Sequence, residues 1–387
     1  MAEIEVLWGK IKNEAQSFRQ LSQNIDQYLE KVRYVNSKLQ KVIGSKEMEV
    51  LLLHIIQELE NEKKSCERLC ETLQLTAEEY KKTESRVIQQ MKDQEGKGEE
   101  REKGKEKQEK IDWSKGWDKI KELAKELGLS LYEFEQIMRD ILKIIGAAGK
   151  EKITQSDTDW KEWFMKYVPE NVSDYTILGL LSFLSILGVS DKTVNEHKKN
   201  NEKDWKENKD NYTNKSKYIE NQDQIDNMYY GRLLAKDNAC EVIAAYNALQ
   251  DLTGDKSPED FPDLLERFEK DGITAFGEFG TSPEAIKLYF DKNGYSTKMI
   301  AGKQIYSENI KEVSNRYKTY IVTTYNNKSD LNSEIHTMSV TRENEADGEK
   351  YVVHNDYAEN SRYNSLEEAI SKYKNGEGKP ICLIGIK

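Results

Sequence analysis

Apolar residues in the first part of the chain recur at alternating spacings of three and four, at Phe18, Leu21, Ile25, Tyr28, Val32, Val35, Leu39 and Val42. That seam is the mark of a helix packed lengthwise on another helix. A second seam sets Leu52, Leu59, Cys66, Leu73, Tyr80 and Val87 seven residues apart, with Ile55 and Leu69 at complementary positions. Gly44 suits the residue after a helix and Ser45 an N-cap, so the chain is expected to reverse there. The pattern predicts a long antiparallel helical hairpin over residues 1–92.

Residues 93–110 hold no apolar side chain, so 93–112 reads as a charged linker. Helical periodicity resumes at Trp117, Ile120, Leu123, Leu127, Leu131, Phe134, Ile137, Ile141 and Ile144, and continues in 160–167 and 177–187. These segments predict a small helical middle domain over 113–190. The run 177–189 falls short of the roughly 20 apolar residues a bilayer span requires and reads as a buried helix. Residues 191–226 carry few apolar side chains and read as a polar linker.

From 227 to 387 the pattern turns mixed. Helical periods cover 239–252, 258–270, 283–292 and 366–374, and strand-like runs cover 319–325, 335–341, 350–354 and 381–386. Helices precede strands, which predicts an α+β domain with a mainly antiparallel sheet. The expected fold class is therefore multidomain, α then α+β.

Charge and composition narrow the partners. A 33% share of charged residues beside 37% apolar suits long solvated helices joined to a modest globular unit. The formal net charge of -11 repels phosphate backbones and anionic headgroups, so neither nucleic acid nor stable membrane insertion is expected. The first fourteen residues contain acids and no apolar core, so no secretory signal peptide is expected there. Cys66 and Cys70 lie four apart on a helix and read as packing; Cys382, flanked by apolar residues, reads as core. No cofactor or metal is expected, because no phosphate-binding glycine loop and no ligand-spaced His or Cys pair outside the seam is present.

Cys240 stands where a polar turn, Lys236-Asp237-Asn238, runs into an apolar helix, and the first helical turn favours thiolate over thiol. Of the four histidines, His54 lies on a helix and His197 in the polar stretch. His336 opens a strand, a rigid place from which to hold an imidazole against a helix-borne sulfur. Asn355 and Asp356 end the next strand, where either could orient the ring; His354 should point to the opposite face.

This order of Cys, His and Asn or Asp resembles papain-like cysteine peptidases. More narrowly, the segments around Asn238-Ala239-Cys240-Glu241, Gly280-Thr281-Ser282-Pro283, His336-Thr337-Met338 and Val353-His354-Asn355 look like the bacteriocin-leader-processing peptidases, over roughly 229–387. The resemblance implies Cys240 as nucleophile, His336 as base and then acid, Asn355 as orienter and Asp356 as reserve. The family's oxyanion glutamine, six residues before the cysteine, is here Leu234, which leaves Asn238 as an oxyanion candidate beside its N-cap role.

The hairpin resembles the WXG and LXG proteins of type VII secretion, with Val42-Ile43-Gly44 at the turn and Tyr80 and Glu84 as an export-signal pair. Together the resemblances imply a bacterial effector or toxin, exported without a signal peptide or cytoplasmic. Its carboxy-terminal thiol protease would hydrolyse a peptide or protein substrate, and its hairpin would meet a helical partner or secretion machinery. Alternatives are a non-catalytic adaptor with a degenerate peptidase fold, or a Cys-His enzyme acting on another amide as deamidase, transferase or peptidoglycan hydrolase.

Overall fold

The computed structural model describes residues 2–39, 46–95, 111–148, 158–169, 171–214, 216–254, 259–325, 335–346, 348–356, 361–371 and 379–387. The chain forms two compact units, residues 1–110 with 129–139, and residues 111–128 with 140–387.

In the first unit, helices α1 (Ala2–Leu39) and α2 (Lys46–Glu95) run antiparallel. Ser22 meets Glu67, Asp26 meets Lys63 and Arg33 meets Glu60, so partner numbers run in opposite directions. Ile25, Leu29 and Cys66 form the seam, with Ile56 and Leu59 against them. One half of the expected seam is displaced by a residue: Ala15, Ser22, Leu29 and Asn36 are buried, whereas Leu21, Tyr28 and Val35 are 44%, 59% and 47% exposed. Val42, Gly44 and Ser45, and most of the charged linker, lie outside the described residues.

The second unit absorbs what the sequence suggests as a separate middle domain. It contains α3 (Trp113–Glu126), the end of α4 (Leu131–Ala148), α5 (Trp160–Tyr167) and α6 (Asp174–Leu184). Asp112, Asp159 and Ser173 cap α3, α5 and α6 by accepting first-turn N–H groups. Trp113 and Trp117 pack on Phe183 of α6, and Trp160 and Phe164 pack on Phe279, far along the chain. The contacts of Trp160 and Phe164 with Phe279 tie α5 to the α+β part.

The stretch read as a polar linker is also folded. Residues 191–212 form α7 (Asp191–Tyr212), which buries Val194, Asn201, Trp205 and Tyr212. Those positions make one narrow stripe on a charged helix, a low apolar count that still suffices because Trp205 packs on Tyr246 and Phe261.

A short hairpin, β1 (Tyr229–Tyr230) and β2 (Leu233–Leu234), leads through α8 (Ala235–Asn238) into α9 (Cys240–Thr253), followed by α10 (Phe261–Lys270) and α11 (Pro283–Lys292). Then come β3 (Thr297–Ala301), α12 (Glu308–Arg316), β4 (Thr319–Tyr325), β5 (Ile335–Glu345), β6 (Gly348–His354), β7 (Arg362–Tyr363), α13 (Leu366–Ser371) and β8 (Lys379–Ile386). The main sheet has strand order β3-β8-β4-β5-β6-β7, every pair antiparallel. Helices followed by an α+β arrangement with an antiparallel sheet is thus the architecture. One sheet face packs Val322, Met338, Val340, Val353 and Leu383 against residues of α12 and α13. The other receives α9, where Thr337 reaches Glu241 and Thr319 reaches Asp251. Among the described residues no helix is long and apolar enough to cross a membrane.

Candidate active site

Cys240 is the first residue of α9 and is 6% exposed. Its thiol donates to Glu241 Oε2 at 3.3 Å, and the backbone N–H of Thr337 is turned toward the sulfur. Thr337 directly follows His336 and lies beyond the last β5–β6 register pair, Ser339 opposite His354. The fold therefore brings the start of α9 to the end of β5 where β6 has stopped pairing.

A helix start favours a thiolate, yet here the opposite holds. Burial pushes the Cys240 thiol well above its ordinary range, and the neighbouring Glu241 carboxylate raises it further. Removing a charge's water costs more than the dipole returns, so the resting group is a thiol. Burial likewise raises Cys382, within β8, to about 12, and Cys66, in the hairpin seam, to about 11.

His336 is buried, and its Nε2 bonds to the main-chain carbonyl of Asn355. A carbonyl only accepts, so Nε2 carries a proton. The sequence expectation had the Asn355 side chain in this position. That amide is instead clasped by Gln222: Asn355 Oδ1 accepts from the Gln222 N–H at 3.1 Å, and Asn355 Nδ2 donates to Gln222 Oε1 at 3.2 Å. Asn355 adopts a left-handed backbone (φ 63°), which redirects its carbonyl from the ladder to the ring. Asp356 follows it, half-buried.

Gln222 belongs to a strap, residues 218–222, that had no signal beyond polarity. Tyr218 stacks on His354 with centroids 3.9 Å apart, and Glu220 takes His354 Nδ1 at 2.8 Å and the Asn355 N–H at 3.3 Å. On α9, Asn247 accepts the Ile219 N–H and donates to the Ile219 carbonyl, both at 2.8 Å. The strap thus ties the nucleophile's helix to the end of β6. His354 also meets Thr341, which commits both ring nitrogens. His197, on α7, meets Glu269.

No match to any family model, curated protein or solved structure was found.

Two further expectations change. Asn238 is not the α9 N-cap, a position held by Ala239, and it cannot serve an oxyanion: both amide hydrogens are given to the carbonyls of Tyr230 and Gly277, each at 2.8 Å. Tyr80 and Glu84 fall on α2, but their side chains lie outside the described residues. Among the described residues no cluster of His, Cys, Asp and Glu could hold a metal ion.

Glu241 is the residue that sequence reasoning passed over. It is 2% exposed, its Oε1 accepts from Thr337 Oγ1 at 3.4 Å, and the Thr281 N–H faces it. Gly280 sits so close that a Cβ there would lie 2.2 Å from Glu241 Oε2. Burial raises this carboxyl to about 7. A carboxylate directly after the cysteine in an otherwise apolar helix start was the available signal.

Proposed function

We propose that the second unit is a thiol hydrolase of papain-like type that cleaves a peptide or protein amide through Cys240. The observation that supports this reading is the Thr337 N–H facing the Cys240 sulfur, which sets the thiol beside the residue whose neighbour is His336. The His336 ring is in turn held by Asn355.

In this reading the thiol turns from Glu241 toward His336 Nδ1, which takes its proton. The sulfur forms a bond to the substrate carbonyl carbon; the carbon–nitrogen bond then breaks as the imidazolium returns the proton to the leaving amine. Water, deprotonated by the same ring, cleaves the thioester and restores the thiol. The donor for the oxyanion is the Cys240 N–H, which as a helix-initial group has no acceptor inside α9. The hairpin, in the same reading, is the docking or export element of a bacterial effector.

A non-catalytic adaptor is favoured by one observation, the 6% exposure of Cys240. Labelling with a peptidyl vinyl sulfone separates the two. The hydrolase reading expects covalent label on Cys240, lost in Cys240→Ala and His336→Ala and retained in Cys382→Ala. Equal labelling of Cys240 and Cys382, or none at Cys240, favours the adaptor.

A further inference from the structure

We propose that Glu241 is a positioning residue for the nucleophile: its carboxylate holds the Cys240 proton and keeps the resting sulfur as an unreactive thiol. The inference rests on Cys240 being the reacting sulfur, as in the hydrolase reading, but not on which amide is cleaved.

The geometry is built around this carboxyl. One oxygen takes the thiol at 3.3 Å and the other takes Thr337 Oγ1 at 3.4 Å. Gly280, in a left-handed conformation (φ 61°), leaves the space that Oε2 fills. A residue whose only task was to fill the helix start would be apolar, because a buried carboxyl is costly unless its oxygens are bonded.

The titratable groups that face the pair are few. From β1 comes the Tyr230 hydroxyl, which bonds to Thr281 and which burial keeps protonated; His336 adjoins Thr337 on β5 but shares the strand face of Met338 and Val340. Above about pH 7 the pair carries one negative charge, on Glu241, because burial raises that carboxyl to about 7 and the thiol higher still. Ionising the thiol as well would set two negative charges side by side in a dry site. The thiolate therefore forms when its proton passes to a third group, a role the hydrolase reading gives to His336.

The test is the rate at which iodoacetamide alkylates each cysteine of the full chain, resolved by peptide mass spectrometry across pH 6–10. Glu241→Gln replaces the charge with a neutral amide of the same shape, and the expected result is alkylation of Cys240 at least about 10-fold faster at pH 7.5, with the inflection moved down by about one unit or more. Thr337→Val removes a donor from the carboxylate and leaves it a stronger acceptor for the thiol proton, so it is expected to slow Cys240 alkylation by a smaller factor. The Cys382 rate reports unfolding; if it rises in Glu241→Gln, Thr337→Val decides. A Cys240 profile unchanged or slowed in folded Glu241→Gln, or unchanged or accelerated in Thr337→Val, overturns the proposal. Loss of peptidyl vinyl sulfone labelling with this acceleration intact overturns the hydrolase reading alone.

Discussion

The His336 ring bonds to the main-chain carbonyl of Asn355 and not to its side-chain amide. The amide works one step further back, clasped by Gln222 so that the left-handed residue presents its carbonyl to the ring. Substitutions at Asn355 should then act through backbone conformation. Asn355→Ala is expected to cost about 1 kcal/mol more than Asn355→Gly, since alanine resists the left-handed region and glycine does not. Chemical denaturation of the two variants checks this; equal stability would show that the conformation is unstrained.

Gln222 should matter to the site although it touches neither sulfur nor ring nitrogen. Gln222→Ala removes the acceptor of Asn355 Nδ2 and the donor to the Lys236 carbonyl but keeps the backbone N–H bond to Asn355 Oδ1, and the expected outcome is slower vinyl sulfone labelling of Cys240 with a stability loss on the order of 1–3 kcal/mol. Labelling as fast as in the parent protein would remove the strap from the account.

Asn247 fastens that strap to the nucleophile's helix through both ends of one amide. Asn247→Ala leaves a buried N–H and a buried carbonyl unpaired, at a cost on the order of 2–4 kcal/mol. Thermal denaturation should register it, with Cys240 labelling reduced in parallel. A near-neutral change would mean that the Ile219 backbone finds other partners.

How much of this was legible in the sequence follows from where each signal is local. Strand alternation placed β4 at residues 319–325, and β5, β6 and β8 at nearly their observed positions, because one face of each is apolar. Helix α7 was missed because its burial depends on Trp205 meeting Tyr246 and Phe261, residues far away in sequence. The strap was missed for the same reason: Gln222 and Glu220 look like any solvated polar pair until β6 arrives beside them. Burial also reversed the sign of the helix-start effect on Cys240, which no local pattern reports.

Stability should depend on pH through Glu284, a buried carboxyl of α11 raised by burial to about 7. The folded protein holds this proton more tightly than the unfolded chain, so the contribution is full below about pH 4.5 and is lost as pH rises through about 7. A shift of this size is worth about 3 kcal/mol. Glu284→Gln is expected to shrink the stability difference between pH 5 and pH 8 by about that amount, read by urea unfolding of the second unit. An unchanged difference would place the pH dependence elsewhere.

Close packing of Gly280 against Glu241 predicts coupling between them. Gly280→Ala should destabilise through its left-handed backbone and its contact with the carboxylate, and Glu241→Ala should recover only the second part. A double-mutant cycle is expected to return a coupling on the order of 1 kcal/mol. Strict additivity would mean that the carboxylate moves aside freely.

The most direct measurement of the central claim is acyl transfer from p-nitrophenyl acetate, followed by intact-protein and peptide mass spectrometry. Activation of Cys240 by His336 predicts a single acetyl group on Cys240 that turns over, absent in Cys240→Ala and formed about 100-fold more slowly in His336→Ala. Acetylation spread evenly over Cys66, Cys70, Cys240 and Cys382, or a Cys240 rate indifferent to the loss of His336, would contradict it.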